Sequence, residues 1–312
     1  MPKEPKVLYH YTSVEALYNI IDTRTFWLAN SKSSNDKKEN SLSIKAYRKM
    51  LEAIMNTCQN DDINNAIKIF LSREDSLSRS VGNKRFFILS LTTQKDNLAH
   101  WDRYASFRQG ISIALNAGVL GMIREKIHSM FQDDIIRECK LLYTKEACIS
   151  KIENELEKSC TILSKLPKQH LYDVLIGNIS YLFSYISLHL KNIFFKDETE
   201  RRILIDEEST LERKEKLFSA IEMGNKEALA EIKNEYANLL EKLDIEKTYF
   251  APIRGEIRSL HHLCLKDIWG SDLIPEIMLG PNCPQSKDEL RAFLDANGLE
   301  KTDITVSKIP IR

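Results

Sequence analysis

This chain of 312 residues has little glycine, little proline and no net charge. Ten glycines and eight prolines argue against the collagen-like, low-complexity and disordered classes of protein. The 45 basic and 45 acidic residues give a formal net charge of zero, so strong non-specific attraction to nucleic acid or to an anionic membrane is not indicated for the whole chain. What is left is an ordinary globular composition, slightly rich in helix formers, and long enough for one domain with a helical insertion.

Paired cysteines and long apolar runs are lacking as well. The six cysteines contain no CxxC pair and no regular spacing, which predicts reduced, mostly structural thiols. The Met1–Lys6 segment is followed by no apolar run of the signal-peptide kind. The most apolar stretch, Leu171–Leu190, includes Asp173, Asn178 and His189, which favours a buried core helix over a membrane span. These features together predict a cytoplasmic protein.

Several familiar catalytic and binding motifs are also absent. The chain contains no GxGxxG, no GxxxxGK[ST] and no GxSxG, which weakens dehydrogenase, P-loop and α/β-hydrolase interpretations. The run from His261 to Cys264 suggests a metal site. However, no second cluster of cysteine or histidine has the spacing of a zinc finger. We therefore expect no metal.

Strands and helices are predicted to alternate irregularly along the chain. Capping-box spacings at Thr12–Glu15 and Ser286–Glu289 predict two helix starts, and Asn297-Gly298 predicts a helix end. This order favours an α+β fold over a doubly wound parallel sheet. We expect one domain over residues 1–312, with helical insertions at about 144–194 and 209–247. Strands are predicted near 6–10, 25–28, 85–92, 110–115, 139–143, 195–205, 275–280 and 303–309, and further helices near 41–73 and 96–105.

Glu198-Thr-Glu200 is the most informative local feature. In an extended segment, residues two apart point to the same side, so both carboxylates could face one cleft. One could then stabilise a developing positive charge while the other accepts a proton. Spacing alone favours a plainer alternative, a solvated acidic turn that pairs with Arg201 and Arg202 in surface salt bridges.

His10-Tyr-Thr-Ser13 follows a predicted strand, where side chains often line a cleft. A neutral His10 could hydrogen-bond a ligand hydroxyl, and Tyr11 offers a flat stacking face. The alternative is a core histidine, with Thr12 only capping the next helix.

Two further segments have similar alternatives. Asn35, Asp36 and Glu39 lie in a polar loop, where ordering a turn is favoured over contacting a substrate. Trp101 and Tyr104 share a short helix, where core packing is favoured over a stacking wall.

Taken in order, these segments resemble a family of uncharacterised bacterial domains that is similar in fold to ADP-ribosyltransferases. One departure is Arg201, which stands where that family has an aromatic residue. The motifs are His10–Ser13, Phe26–Leu28, Asn35–Glu39, Leu89–Thr92, Trp101–Ala105, Gly110–Ile113, Glu198–Arg202, Leu279–Pro281 and Ser307–Arg312.

The resemblance implies a split, twisted β-sheet core that binds NAD, as substrate, in a cleft between two small sheets. It implies that Glu200 is the catalytic glutamate, that Glu198 orients or deprotonates the acceptor, and that His10 lies near the adenosine ribose. Tyr11 and Tyr104 are rival choices for the tyrosine of the second sheet. The implied cofactor-binding residues are His10, Tyr11, Thr12, Ser90, Thr92, Trp101, Tyr104 and Arg202.

The expected function is that of an NAD-dependent ADP-ribosyltransferase acting on a protein or a nucleic acid, as a bacterial toxin or a phage-defence effector. A cognate inhibitor or a defence-system partner would accompany it, with no metal and no membrane partner. The alternatives are an NAD glycohydrolase and a non-catalytic module that binds a nucleotide or a protein. For the latter, the charged helices predicted at 209–247 would suit partner docking.

Overall fold

The computed structural model describes residues 6–31, 44–72, 86–122, 125, 136–163, 167–206, 238–239, 241–245, 247–253 and 255–310. The chain divides into two compact units. Unit 1 comprises residues 1–30, 85–139 and 198–312, and unit 2 comprises residues 31–84 and 140–197. The expectation of a single domain with two helical insertions stays a prediction.

Helices and strands mix along the chain, which confirms the α+β class. They are β1 (Val7–Thr12), α1 (Val14–Thr23), β2 (Thr25–Asn30), α2 (Ile44–Thr57), α3 (Asp61–Ser72), β3 (Phe86–Thr92), α4 (Leu98–Tyr104), β4 (Ile111–Asn116), β5 (Ile136–Lys140), α5 (Lys145–Ile162), α6 (Lys168–His189), β6 (Glu200–Asp206), β7 (Thr248–Ile253), β8 (Glu256–Cys264), β9 (Glu276–Leu279), α7 (Lys287–Ala296) and β10 (Asp303–Val306). A 3₁₀ helix, Ile193–Glu198, precedes β6.

The strands of the described residues form one open, twisted, mixed sheet of ten strands. Its main path is β10-β9-β4-β1-β3-β2-β8-β7, and β6 pairs with both β3 and β5. The β9–β10 pair is parallel, whereas β1 pairs antiparallel with β4 along its whole length. At the centre, β1 and β3 meet in a single register pair, Tyr9 with Thr92. The ten strands therefore form one continuous sheet, in which β1 and β3 are joined by only one pair of residues.

The helix after β1 begins one residue later than the capping-box prediction. Ser13, not Thr12, is the N-cap, and its Oγ accepts from the backbone N of Ala16 at 3.1 Å. The prediction was wrong because the β1–β4 ladder extends to its last pair, Thr12 with Ile111. Thr12 therefore keeps an extended backbone and belongs to the strand.

The N-cap of the second predicted capping box is confirmed. The Oγ of Ser286 accepts from the backbone N of Glu289 at 3.5 Å, at the start of α7. The helix ends at Asn297, and Gly298 follows with a φ of 78°, a left-handed conformation that glycine adopts without steric cost.

The core of unit 1 lies on the faces of the central strands. Phe26, Phe87, Ile113 and Ile277 are all completely buried there. Burying each such side chain stabilises the fold by about 1.5–3 kcal/mol. This rigid sheet positions the polar residues on β3 and β6.

Unit 2 is helical. The predicted helix at 41–73 is two helices, α2 and α3, because Asn60 caps the second, its Oδ1 accepting from the backbone N of Asp62 at 3.0 Å. In the described part of the chain, α6 is the one helix long and apolar enough to span a membrane by length and composition. Leu175, Ile179 and Ile186 of that helix are completely buried in unit 2, which favours the core-helix interpretation. The cytoplasmic location stays a prediction.

Some sequence expectations have different bounds or fall elsewhere. The strand expected at 139–143 is β5, at Ile136–Lys140, and the last strand ends at Val306 rather than at 309. Residues 207–237, most of the second predicted insertion, lie outside the described residues. So do Asn35, Asp36 and Glu39.

Candidate functional site

Glu198 and Glu200 are separated by a sharp turn, so the assumption of one extended segment was wrong. Glu198 ends the 3₁₀ helix, Glu200 begins β6, and Thr199 between them has a left-handed φ of 44°. Strand β3 holds this turn. The Oγ1 of Thr92 donates to the Glu198 carbonyl at 2.7 Å, and the Oγ1 of Thr93 donates to the Oγ1 of Thr199 at 2.8 Å. Both glutamates are buried, with exposed fractions of 5% and 6%.

Glu200 is bound by residues of β3 and of its own strand. Its Oε1 accepts from the Oγ of Ser90 and from the Nε of Arg202, each at 2.8 Å. The β3–β6 ladder places Ser90 opposite Arg202 and Thr92 opposite Glu200, so all four side chains share one face of the sheet. The side chains of the Glu200–Arg202 pair are only 7% and 5% exposed, so the pair is buried rather than solvated. A buried cation and a hydroxyl donor both favour the ionised carboxylate.

Glu198 has a different set of partners, among them two residues at the end of α4. Its Oε1 accepts from Nη1 of Arg103 at 2.7 Å and from the hydroxyl of Tyr104 at 2.9 Å. The Arg103 side chain is 49% exposed, so this ion pair reaches the surface. These two bonds fix the orientation of the Glu198 carboxylate.

His10 is bonded to β3, the strand whose Ser90 also holds Glu200. Its Nδ1 lies 3.1 Å from the carbonyl oxygen of Ser90. A carbonyl only accepts, so Nδ1 carries the proton of this bond, and in the neutral ring Nε2 is left as an acceptor. Burial lowers the pKa of His10, although the bond to Ser90 opposes the shift. His10 is therefore neutral near pH 7 and suited to accept from a ligand hydroxyl.

Tyr11 and Trp101 pack in the interior. Tyr11 is 7% exposed and Trp101 is completely buried, and their rings meet edge to face at 4.7 Å. The hydroxyl of Tyr11 donates to the carbonyl of Lys95 at 2.9 Å, and burial raises its pKa. Of the two rival tyrosines, Tyr104, at 37% exposed, therefore presents the more accessible ring.

The histidines once considered for a metal site have other contacts. His261 stacks on Phe87 at 3.8 Å, whereas His262 stacks on Tyr249 at 3.7 Å and its Nδ1 lies 2.8 Å from Oδ2 of Asp244. Neighbouring residues of a strand point to opposite faces, so the two rings cannot share one ligand. No group of three or more histidine, cysteine, aspartate or glutamate side chains is placed to hold a metal among the described residues.

The structure thus brings together Ser90, Thr92, Glu200 and Arg202 on one face of the sheet, with His10 bonded to Ser90. Sequence reasoning missed Arg103 as a partner of Glu198. The one available signal was that Arg103 precedes Tyr104 in a short helix with a candidate role. Comparison with protein-family models, with curated proteins and with solved structures gave no match to this chain. The likeness to ADP-ribosyltransferases therefore stays a prediction.

Proposed function

We propose that this protein is an NAD-dependent ADP-ribosyltransferase that modifies a macromolecule. The observation that carries the proposal is the bridging role of Ser90. Its carbonyl holds Nδ1 of His10 at 3.1 Å, and its hydroxyl holds Glu200 at 2.8 Å. A neutral acceptor for a ribose hydroxyl on β1 and a buried, ionised carboxylate on β6 are thereby both bonded to Ser90 of β3, the strand that pairs with each of them.

The chemistry asked of Glu200 is electrostatic. The bond between the ribose anomeric carbon and the nicotinamide nitrogen breaks, and its electron pair leaves with neutral nicotinamide. Positive charge then develops on the ribose, where a preorganised carboxylate stabilises it. Removing one preorganised group of this kind from an active site costs about 10²–10³ in rate.

Glu198 would accept the proton of the attacking group. A bond forms between the acceptor nucleophile and the anomeric carbon as that proton leaves. In the structure Oε1 of the Glu198 carboxylate accepts from Arg103 and Tyr104, so these two residues orient the carboxylate that takes the proton. The exposed side chain of Arg103 is the more accessible of the two to an incoming acceptor.

The alternative is an NAD glycohydrolase, in which water attacks the anomeric carbon in place of the macromolecular acceptor and gives up its proton to Glu198. The roles of bacterial toxin or phage-defence effector, and the cytoplasmic location, rest on the resemblance and belong to the proposal.

The test is incubation of purified protein with NAD and a whole-cell lysate, following free nicotinamide and labelled ADP-ribose on protein and on nucleic acid separately. Wild type is compared with Glu200→Gln, Glu198→Gln and a control, Glu146→Gln, which alters an exposed carboxylate in the first turn of α5. We expect Glu200→Gln to lose both signals and Glu198→Gln to lose label more than nicotinamide. Release without label in the wild type would identify the glycohydrolase. Absence of both signals would contradict an enzyme and favour the nucleotide- or protein-binding module.

A further inference from the structure

A strained turn follows α4. Ser106, Phe107 and Arg108 have left-handed φ angles of 47°, 52° and 75°, and none of them is glycine. Each such residue costs roughly 1–2 kcal/mol. The turn is nevertheless fixed by backbone bonds, because the N of Arg108 donates to the Trp101 carbonyl at 2.9 Å and the Arg108 carbonyl accepts from the N of Asn282 at 3.0 Å.

Two glycines allow the backbone to approach closely at this turn. A Cβ on Gly110 would collide with the carbonyl of Thr12, and one on Gly280 would collide with the carbonyl of Arg108. The guanidinium of Arg108 also pairs with Asp102. The turn is therefore held rigidly between the end of α4 and the segment after β9.

The strained turn presents an aromatic ring to solvent. Phe107 is 82% exposed, so its ring contributes little to the core. Backbone strain kept without a packing benefit is characteristic of functional segments. An exposed aromatic side chain on backbone that is already fixed is a common anchor of a protein interface, because little backbone entropy is lost on binding.

A small cleft adjoins this turn. Its volume is about 250 Å³, and it is lined by Val14, Glu15, Ser106, Gln109, Pro284 and Gln285. Pockets for small-molecule ligands usually measure about 300–1,000 Å³, so this cleft suits one or two side chains better than a dinucleotide. Phe107 directly follows one of the lining residues, Ser106.

The charges of the cleft select between a polypeptide and a nucleic acid. Hydrogen bonds from its own backbone amide and from Ser13 lower the pKa of Glu15, so its carboxylate is ionised at neutral pH. The described residues that line the cleft include no lysine or arginine, and the cations Arg103 and Arg108, close to Ser106 in sequence, pair with acidic side chains. A phosphate backbone needs free cations.

We propose that this cleft and Phe107 together form a docking site for a polypeptide, with a basic side chain of the partner against Glu15 and an apolar one against Phe107. The amides of Gln109 and Gln285 supply donors and acceptors for the partner's main chain. Phe107 lies three residues beyond Tyr104, so the Cα atoms of Phe107 and Tyr104 are at most about 10 Å apart. The hydroxyl of Tyr104 contacts Glu198, which places the docking site close to the candidate active site. That the docked polypeptide is the acceptor rests on the proposed function.

The test uses fluorescent nonapeptide pools with arginine, lysine, glutamate or leucine fixed at the central position and the other positions randomised. Anisotropy of each pool is measured with the full chain, without NAD, against a twelve-nucleotide single-stranded DNA competitor. We expect the arginine and lysine pools to bind at least fivefold more tightly than the glutamate pool. Glu15→Gln should erase that preference, and Phe107→Ser should weaken the basic pools about tenfold.

The matched control is Glu146→Gln. Glu146 is, like Glu15, an exposed acid two residues after a helix N-cap, and its substitution should change nothing. Circular dichroism of each variant shows that it is folded. The proposal is overturned if no pool binds, if Phe107→Ser binds as the wild type does, or if the DNA displaces the peptides. Nicotinamide release is measured separately, so failure of this site and failure of the enzymatic proposal are distinguishable.

Discussion

Replacement of Arg202 by methionine tests the buried ion pair at the site. Methionine keeps much of the volume of the side chain but removes the cation 2.8 Å from Glu200. Breaking a buried pair from one side costs about 3–5 kcal/mol, because the other charge stays buried. Ser90 still donates to Glu200 at 2.8 Å, so we expect the lower end of that range, about 3 kcal/mol.

Urea unfolding followed by tryptophan fluorescence is a direct assay. The three tryptophans, Trp27, Trp101 and Trp269, all lie in unit 1, so the signal reports on the unit that contains the pair. Thermal unfolding followed by the same fluorescence gives a second measure. Each kcal/mol of lost stability lowers the melting temperature of a domain of 150–250 residues by about 2–4 °C. A loss of about 3 kcal/mol therefore corresponds to about 6–12 °C.

Two comparisons make this prediction refutable. The double variant Glu200→Gln/Arg202→Met should be more stable than the sum of the single losses by about 2 kcal/mol, since residues in one ion pair couple by about 0.5–3 kcal/mol. Lys242→Met, which removes an ion pair at 3.6 Å whose side chains are 62% and 61% exposed, should cost under about 1 kcal/mol. If Arg202→Met costs no more than Lys242→Met and shows no coupling, the buried pair does not exist in solution.

Three further changes have defined outcomes in urea unfolding. Ser13→Ala should cost about 1 kcal/mol, because Ser13 accepts from Ala16 at 3.1 Å, and a loss of that size at Thr12 instead would contradict the assigned cap. Gly110→Ala should cost more than about 2 kcal/mol, since its methyl group meets the Thr12 carbonyl, and wild-type stability would disprove that close approach. Burial raises the pKa of Asp96, but the hydrogen bonds that it accepts outweigh burial, so its pKa is lowered in the folded protein. The ionised Asp96 therefore stabilises the fold above its unfolded pKa of about 3.9, and this stabilisation is lost as pH falls through the folded pKa. The deficit of Asp96→Asn should therefore close below about pH 4, and a constant deficit would argue against it.

Local patterns predicted much of the fold. The continuous apolar run before Thr92 predicted β3, which spans Phe86–Thr92, and Ser286 with Glu289 predicted the start of α7. These succeeded because strand formation by a buried apolar run and helix capping by a serine depend on residues close in sequence. The cap at Thr12 failed because its strand pairing with Ile111 comes from a distant segment.

The partners at the candidate site were beyond local reasoning. Ser90 and Glu200 are 110 residues apart, and Arg103 and Glu198 are 95 apart, so only the three-dimensional pairing of strands and helices brings them together. The left-handed Thr199 was equally invisible, since a β-branched residue gives no signal for that conformation. The opposite facing of His261 and His262 follows from strand alternation once β8 is known, but no strand was predicted at Glu256–Cys264.

The central claim is that Glu200 stabilises the breaking of the nicotinamide–ribose bond. The most direct test is nicotinamide release from NAD in the presence of lysate, by wild type and by Glu200→Gln at matched folded concentrations. The proposed mechanism predicts release by the wild type and a decrease of about 10²–10³-fold in the variant. No release by the wild type, or equal release by both proteins, would contradict it.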